Sequence, residues 1–177
     1  MDKIPQPLQA LGELLGGRAQ PVFAPERLAP SATYDLQYRI AVIASAFQLH
    51  AKPDRFSQQR IHAARLKLLQ FISCRPWLLG MVRSWSKSQH DAQLSIVTSQ
   101  RLRRGFLGDQ MHEHVVTFLV ARGILNWSGS HISAGPDVGW LGQLHSANLQ
   151  HNFFPVERGV LEELRSIRIT NTMLEGW

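Results

Sequence analysis

The chain has 177 residues, of which 44% are hydrophobic, and carries 19 lysines and arginines against 13 acids. This length suits one domain with a small extension, and the apolar fraction excludes an intrinsically disordered chain. The net charge of +6 favours contact with polyanions such as nucleic acid, an acidic protein face or a membrane surface. The excess is concentrated between Lys52 and Arg104, where eleven lysines and arginines face only two acids.

The sequence predicts a soluble cytoplasmic protein. No stretch approaches the ~18 consecutive apolar residues that a membrane span needs. The first residues lack the long apolar run of a signal peptide. Cys74 has no second cysteine with which to form a disulfide, and its apolar neighbours predict a buried structural thiol in a reducing compartment.

A proline-rich segment, residues 1–30, opens the chain and holds five of its nine prolines. It predicts an arm that docks on the body of the protein or on a partner, rather than an independent domain. Residues 31–177 then form the helical domain. The prolines of the arm that we expect to contact a partner protein are Pro21, Pro25 and Pro30.

Helical periodicity accounts for the first half of that domain. Residues 34–50 repeat apolar side chains at three- and four-residue spacing, with Thr33 or Ser31 as the cap and Lys52-Pro53 as the stop. A second helix is predicted over residues 58–73, capped by Ser57. A third is predicted over residues 77–88, with one apolar face made of Trp77, Met81 and Trp85.

The second half predicts a helix followed by a hairpin. Residues 94–108 are ambiguous, because Ser95 to Thr98 also suit an extended strand. Asp109 is the expected cap of a helix over residues 110–122, which Gly123 ends. Two β-prone runs, ILNW and HISA, flank a Ser-Gly-Ser turn and predict a hairpin. Helices from about residue 138 and from residue 156 close the chain.

A helix followed by a hairpin is typical of a winged helix, so the predicted fold is mainly α with a winged-helix core. The helix before such a hairpin can lie in the DNA major groove. This one lacks a row of arginine, asparagine or serine, and its hairpin carries Trp127 and His131 instead of lysine or arginine. We therefore expect the hairpin to bind protein through Trp127, Gly129 and His131. The cations expected to contact DNA phosphates are Arg60, Lys67, Arg101, Arg103 and Arg104.

No motif indicates an enzyme, a cofactor or a metal site. The chain lacks the glycine-rich phosphate loops and the GxSxG nucleophile turn. His112 and His114, two residues apart on a helix, point about 200° apart and cannot bind one ion together. We therefore predict a non-enzymatic protein without a cofactor or a metal.

Three stretches in order, YRIAVIASAFQ, RLKLLQFISCRP and MHEHVVTFLVARGIL, carry a resemblance to a known family. They resemble the small middle components of ABC-three-component bacterial defence systems, of which Lamassu is the best-known type. The similar segments are Arg39 to Phe47, Leu66 to Pro76 and Val115 to Leu125, within residues 33–145. The chain departs from the family at Gln70, where an acid is frequent.

The resemblance implies a non-enzymatic accessory subunit of an anti-phage or anti-plasmid complex. Such a subunit binds an SMC-like or ABC-class ATPase and an effector nuclease, and can add non-specific contact with double-stranded DNA. The alternative is a homodimeric winged-helix transcription regulator, which reads bases and acts alone. A third class, an effector inhibitor or antitoxin, would bind one protein and no DNA.

Overall fold

The computed structural model describes residues 35–87, 92–170 and 173–174, which are mainly helical with one small antiparallel sheet. The predicted fold class is confirmed. The arm at residues 1–30, with Pro21, Pro25 and Pro30, and the C-terminal Trp177 lie outside the described residues. The helices are α1 (Leu36–His50), α2 (Ala63–Ser73), α3 (Leu79–Lys87), α4 (Ala92–Leu107), α5 (Met111–Ala121), α6 (Gly139–Gln150) and α7 (Pro155–Ser166). The strands are β1 (Lys52–Pro53), β2 (Gln59–His62), β3 (Leu125–Ser128) and β4 (His131–Ala134).

Helix α1 lies at the centre of the protein and is buried on every side from Tyr38 to Phe47. Such a helix shows little segregation of apolar and polar faces, because no face meets water. The predicted N-cap of α1 is wrong, because Asp35 is the N-cap in place of Thr33 or Ser31. Its carboxylate accepts hydrogen bonds from the amides of Gln37 at 2.8 Å and Tyr38 at 3.1 Å.

The predicted helix over residues 58–73 is wrong at its beginning, because residues 59–62 form strand β2. Ser57 is not a helix cap. It has a φ of 60° in the turn between β1 and β2, where its amide donates to the carbonyl of Asp54. Helix α2 begins only at Ala63, whose amide donates to the carbonyl of Ser130 at 2.8 Å. The local sequence of residues 59–62 suits either a helix or a strand, and pairing with β4 selects the strand.

The sheet has the strand order β1-β2-β4-β3, and each adjacent pair is antiparallel. The predicted hairpin is confirmed as β3 and β4, joined at Gly129 and Ser130. Strand β2, which precedes α2, pairs with the second strand of this hairpin. A strand between the first two helices, paired with a hairpin that follows helix α5, is the winged-helix arrangement. We call residues 125–134 the wing.

Residues 74–110 separate α2 from α5 and contain a 3-10 turn at Pro76–Leu78, α3 and α4. In a simple helix-turn-helix a turn of three or four residues takes this place. Residues 94–107 are helical, so the extended alternative for Ser95 to Thr98 is wrong. The apolar face predicted for residues 77–88 is confirmed for Trp85, which is buried. It is wrong for Trp77, which precedes α3 in the 3-10 turn and is 73% exposed.

Helices α6 and α7 both pack against helix α1, as the spacing of their apolar residues predicts. Leu141 and Leu144 of α6, with Val160, Leu161 and Leu164 of α7, are buried in the main core. A buried hydrogen bond of 2.7 Å from the Tyr38 hydroxyl to Glu157 adds a polar contact between α1 and α7. Cys74 is buried as predicted, and burial raises the pKa of its thiol to about 11.

Two glycines meet at the base of the wing. Gly123 ends α5 with a φ of 69°, as predicted, and Gly135 follows β4. A Cβ atom on Gly135 would overlap the carbonyl oxygen of Gly123 and lie 2.9 Å from its carbonyl carbon. The amide of Gly135 also donates to the carbonyl of Ile124 at 3.0 Å. This close approach fixes the wing against the end of α5.

Candidate functional site

The outward face of α5 is where a winged helix would read bases, and it is poor in groups that do so. Its exposed side chains are Glu113, His114, Thr117 and Ala121. Base recognition in the major groove relies on arginine, lysine, asparagine and glutamine. Glu113 would also repel phosphates, and its carboxylate already accepts from Lys67 at 3.2 Å.

The wing has no charged residue and presents a tryptophan. Trp127 is 44% exposed and lies near the end of β3, the edge strand of the sheet. Its indole Nε1 donates to the carbonyl of Gly129 at 3.0 Å, which fixes the ring against the turn. Exposed tryptophans held in one conformation are frequent at the centre of protein interfaces. Gly129 adjoins the ring, whereas His131 pairs with Ser128 and lies on the opposite face of the sheet from Trp127. The structure therefore brings together only Trp127 and Gly129 of the three wing residues predicted to bind protein.

The arginines before α5 lie on helix α4 and not in a loop. Leu102 and Phe106 pack inward, and the opposite face presents Gln100, Arg103, Arg104 and Leu107. Within the part of the chain that the structure describes, no carboxylate lies within 4 Å of Arg103 or Arg104. Arg101 belongs to the same helix, and its side chain lies outside the described residues. We call Arg103 and Arg104 the α4 arginine face.

Lys67 belongs to helix α2 and is already engaged. Its ammonium group is bound to Glu113 and sits 5.1 Å from the centre of the Phe106 ring. Only 12% of its side chain is exposed. Among Arg60, Lys67, Arg103 and Arg104, whose side chains the structure describes, Lys67 is therefore the least available to phosphate.

The face of the sheet that points away from the core is polar and basic. Strand register places Lys52, Arg60, Ser133 and Asn126 in one row across all four strands. His62 and His131 lie side by side in a second row, with ring centres 5.3 Å apart. This face borders a cleft of about 330 Å³. We call it the basic cleft; its basic residues are His50, Lys52, Arg60, His62, Arg65 and His131.

The basic cleft was only partly predicted. Arg60 and His131 were expected at two different sites, one for DNA and one for protein, and the structure brings them to one cleft. Lys52, His62 and Arg65 were not singled out, because they meet only through the pairing of β1 with β2 and of β2 with β4. The turn residues Pro53, Asp54 and Ser57 are the sequence signal that favours a hairpin there.

A buried polar network lies beneath the start of α5. Asp109 does not cap α5 as predicted; one carboxylate oxygen binds Arg39 at 2.7 Å and the other binds Arg75 at 3.2 Å. Gln70 donates through Nε2 to the carbonyl of Arg39 at 3.2 Å. Its Oε1 accepts from Nδ1 of His112 at 2.5 Å. We call Arg39, Gln70, Asp109 and His112 the buried network, which joins α1, α2 and α5.

The contacts of Gln70 explain what an amide supplies at this position. The same side chain donates to one buried group and accepts from another. An ionised carboxylate can only accept, so it would leave the carbonyl of Arg39 without this donor. The amide thus suits a neutral His112 as its neighbour.

Two buried histidines make stability depend on pH. Burial lowers the pKa of His112 to about 3 and that of His50 to about 4. Both values lie below the ordinary value near 6.5, so on acidification the unfolded chain binds protons before the folded one. The stability contributed by keeping these imidazoles neutral is fully present above about pH 6.5, and it is lost progressively as the pH falls toward 4 for His50 and toward 3 for His112.

We expect each of these histidines to cost on the order of 2 kcal/mol at pH 5 relative to pH 7.5. Urea unfolding at a series of pH values measures this dependence. The variant His112→Gln should unfold with a shallower pH dependence, because it removes one of the two proton sites. The control His114→Gln, at an exposed position, should retain the dependence of the unmodified protein. Equal slopes for all three proteins would contradict the assignment.

No family model, curated protein or solved structure matches the chain. Within the described residues, no helix is long and apolar enough to cross a membrane. Over the same residues, no three histidine, cysteine or acidic side chains are grouped so that they could hold a metal ion. The geometry above therefore carries the functional argument.

Proposed function

We propose that the chain is a non-enzymatic accessory subunit of an SMC-like or ABC-class ATPase defence complex, of the kind that the resemblance to Lamassu-type systems implies. In this proposal the wing binds a protein partner, either the ATPase or an effector nuclease. The α4 arginine face adds non-specific contact with double-stranded DNA. The observation that carries the proposal is the wing itself, which is uncharged and presents a fixed, exposed Trp127.

The outward face of α5 supports protein contact over base reading. A homodimeric regulator, the alternative, needs side chains that recognise base edges, and this face offers Glu113 and His114 in their place. The two proposals differ in oligomeric state. Light scattering should give the mass of a dimer if the protein is a homodimeric regulator. An accessory subunit has no need to dimerise when it is purified alone, so the mass of a monomer would favour the accessory subunit.

Trp127→Ala should abolish recovery of the partner without unfolding the protein. Truncating an interface tryptophan commonly costs 2 kcal/mol or more of binding energy, and Trp127 contributes little to the core. The experiment is affinity purification of the tagged protein from its native host, with nuclease treatment, and identification of what co-purifies. The proposal expects a large ATPase or a nuclease in stoichiometric amount.

Trp77→Ala is the matched control, because Trp77 is also exposed and lies on the 3-10 turn and not on the wing. It should retain the partner. Recovery of the same partner with Trp127→Ala would exclude the wing as the binding surface. Recovery of the unmodified protein alone, or only with DNA that nuclease removes, would favour the regulator.

The α4 arginine face predicts a measurable salt dependence. Each phosphate contact that is lost lowers the slope of log affinity against log salt by about 0.9. Arg103→Gln/Arg104→Gln should therefore reduce the slope for a duplex oligonucleotide by about 2. The control Arg83→Gln/Arg158→Gln removes the same charge from arginines that contact Glu163 and Glu162. An unchanged slope in the first variant would reject the α4 arginine face as the DNA contact.

A further inference from the structure

We infer that the basic cleft is a second anion site, which binds the phosphate group of a nucleotide. It lies on the sheet face opposite the core and is built from β1, β2, β4 and the ends of α1 and α2. It shares no residue with the α4 arginine face. The inference does not rest on the proposed defence role, because it concerns only the chemistry of this cleft.

The charge of the cleft favours a phosphate. Lys52, Arg60 and Arg65 supply three cations, and among the residues that the structure describes Asp54 is the one acid that lines the cleft. The Asp54 carboxylate is already occupied, since Oδ1 accepts from the amides of Phe56 at 2.8 Å and Gln58 at 3.1 Å. Its other oxygen is 3.9 Å from Arg60, at the limit of an ion pair.

The sheet register holds two cations directly opposite each other. Lys52 and Arg60 are Cα partners in the β1–β2 pair. Like charges at such positions repel and destabilise a sheet. An anion bound between them would remove this repulsion and would be held by both side chains, of which Arg60 is 41% exposed.

The histidines report the same positive potential. Burial lowers the pKa of His50, and the charges of Arg65, Arg165 and Lys52 lower it further. Desolvation likewise lowers the pKa of His131, with Arg60 and His62 adding to the effect. These two imidazoles, when neutral, add no repulsion to the cations at pH 7. His50 already donates through Nε2 to the carbonyl of Leu161 at 2.9 Å, so of the two it is His131 that can donate a hydrogen bond to a phosphate oxygen.

The size of the cleft favours a nucleotide over a bare phosphate ion. At about 330 Å³ it falls at the lower end of the range for small-molecule sites. A phosphate group with its sugar fits such a volume. This chemistry has two sources, a free nucleotide and the backbone of a nucleic-acid strand, and binding experiments can distinguish them.

The test compares two variants that lose the same charge. Lys52→Gln/Arg60→Gln removes two cations of the basic cleft, and Arg103→Gln/Arg104→Gln removes the α4 arginine face. Arg65 is left intact because it donates to the carbonyl of Ile169 at 2.9 Å. Circular dichroism and thermal unfolding confirm that both variants fold. Binding of ADP is measured by calorimetry, and binding of a labelled single-stranded oligonucleotide by fluorescence anisotropy.

We expect the cleft variant to bind the phosphate ligand roughly tenfold to a hundredfold more weakly, as the loss of charged hydrogen bonds predicts. The α4 variant should bind ADP like the unmodified protein. Loss of ADP binding identifies a free nucleotide, and loss of oligonucleotide binding alone identifies a strand backbone. The inference is wrong if neither probe binds the unmodified protein, or if both probes bind the cleft variant as tightly as they bind the unmodified protein. Lys52 would then serve only to protect the edge strand β1 from pairing with another chain. Neither result depends on whether the wing captures a partner.

Discussion

Asp109→Ala is expected to destabilise the protein by about 3–5 kcal/mol, the cost of breaking a buried ion pair by removing one partner. The side chains of Arg39 and Asp109 are 1% and 3% exposed. Without the carboxylate, the guanidinium of Arg39 stays in the core without its counter-charge. Arg75 is less affected, because 22% of its side chain reaches solvent. Urea denaturation followed by circular dichroism measures the loss.

A double variant separates charge from packing. Arg39→Met/Asp109→Ala removes both buried charges, and replacing a buried ion pair by apolar groups is often neutral or stabilising. We expect it to be more stable than Asp109→Ala alone. Glu162→Ala serves as the surface control, since Glu162 is 59% exposed and should cost at most about 0.5 kcal/mol. A double variant as unstable as the single one would show that packing, not charge, maintains this region.

Gly135→Ala is expected to cost about 3 kcal/mol, near the upper end of what overpacking costs. The added methyl group meets backbone atoms of Gly123 and Ile124, which cannot rotate away as a side chain could. The wing and the end of α5 must separate, so Trp127 should also shift. The change is detected as a lower midpoint of urea unfolding and a changed tryptophan emission.

Gly159→Ala is the matched control for Gly135→Ala. Gly159 lies within α7, and no atom of the described residues would lie within 4 Å of its added Cβ. Alanine is preferred over glycine in a helix by about 0.5–1 kcal/mol, so this variant should be slightly more stable. The same substitution thus has opposite signs at the two positions. A neutral Gly135→Ala would mean that the wing base can separate without loss of stability.

Local pattern was enough to predict most helices and the wing. The spacing of Val115 and Leu119 and the stop at Gly123 depend only on neighbours in sequence, and α5 forms as predicted. Strand β2 was missed because four residues cannot distinguish a strand from the first turn of a helix. Its state is decided by β4, far along the chain.

The site residues show the same division. Trp127 was assigned to the hairpin from the local pattern alone, and the structure places it there, 44% exposed. Asp109 has the position and chemistry of a helix cap, yet Arg39 of α1 takes its carboxylate into the core. The cations of the basic cleft come from elements whose register only the assembled sheet defines. The prediction of these sites was therefore limited by contacts between residues far apart in the sequence, and not by the types of residue present.

The pairing of β2 with β4 also governs the order in which the protein assembles on the ribosome. Strand β2 has no partner for its inner edge until residues 131–134 have left the exit tunnel. The first amide of α2 likewise gains its protein acceptor only when Ser130 is available. Contacts of such long sequence separation slow folding, since a large loop must close before they form. Synthesis of the wing is thus the step at which the winged-helix unit becomes complete.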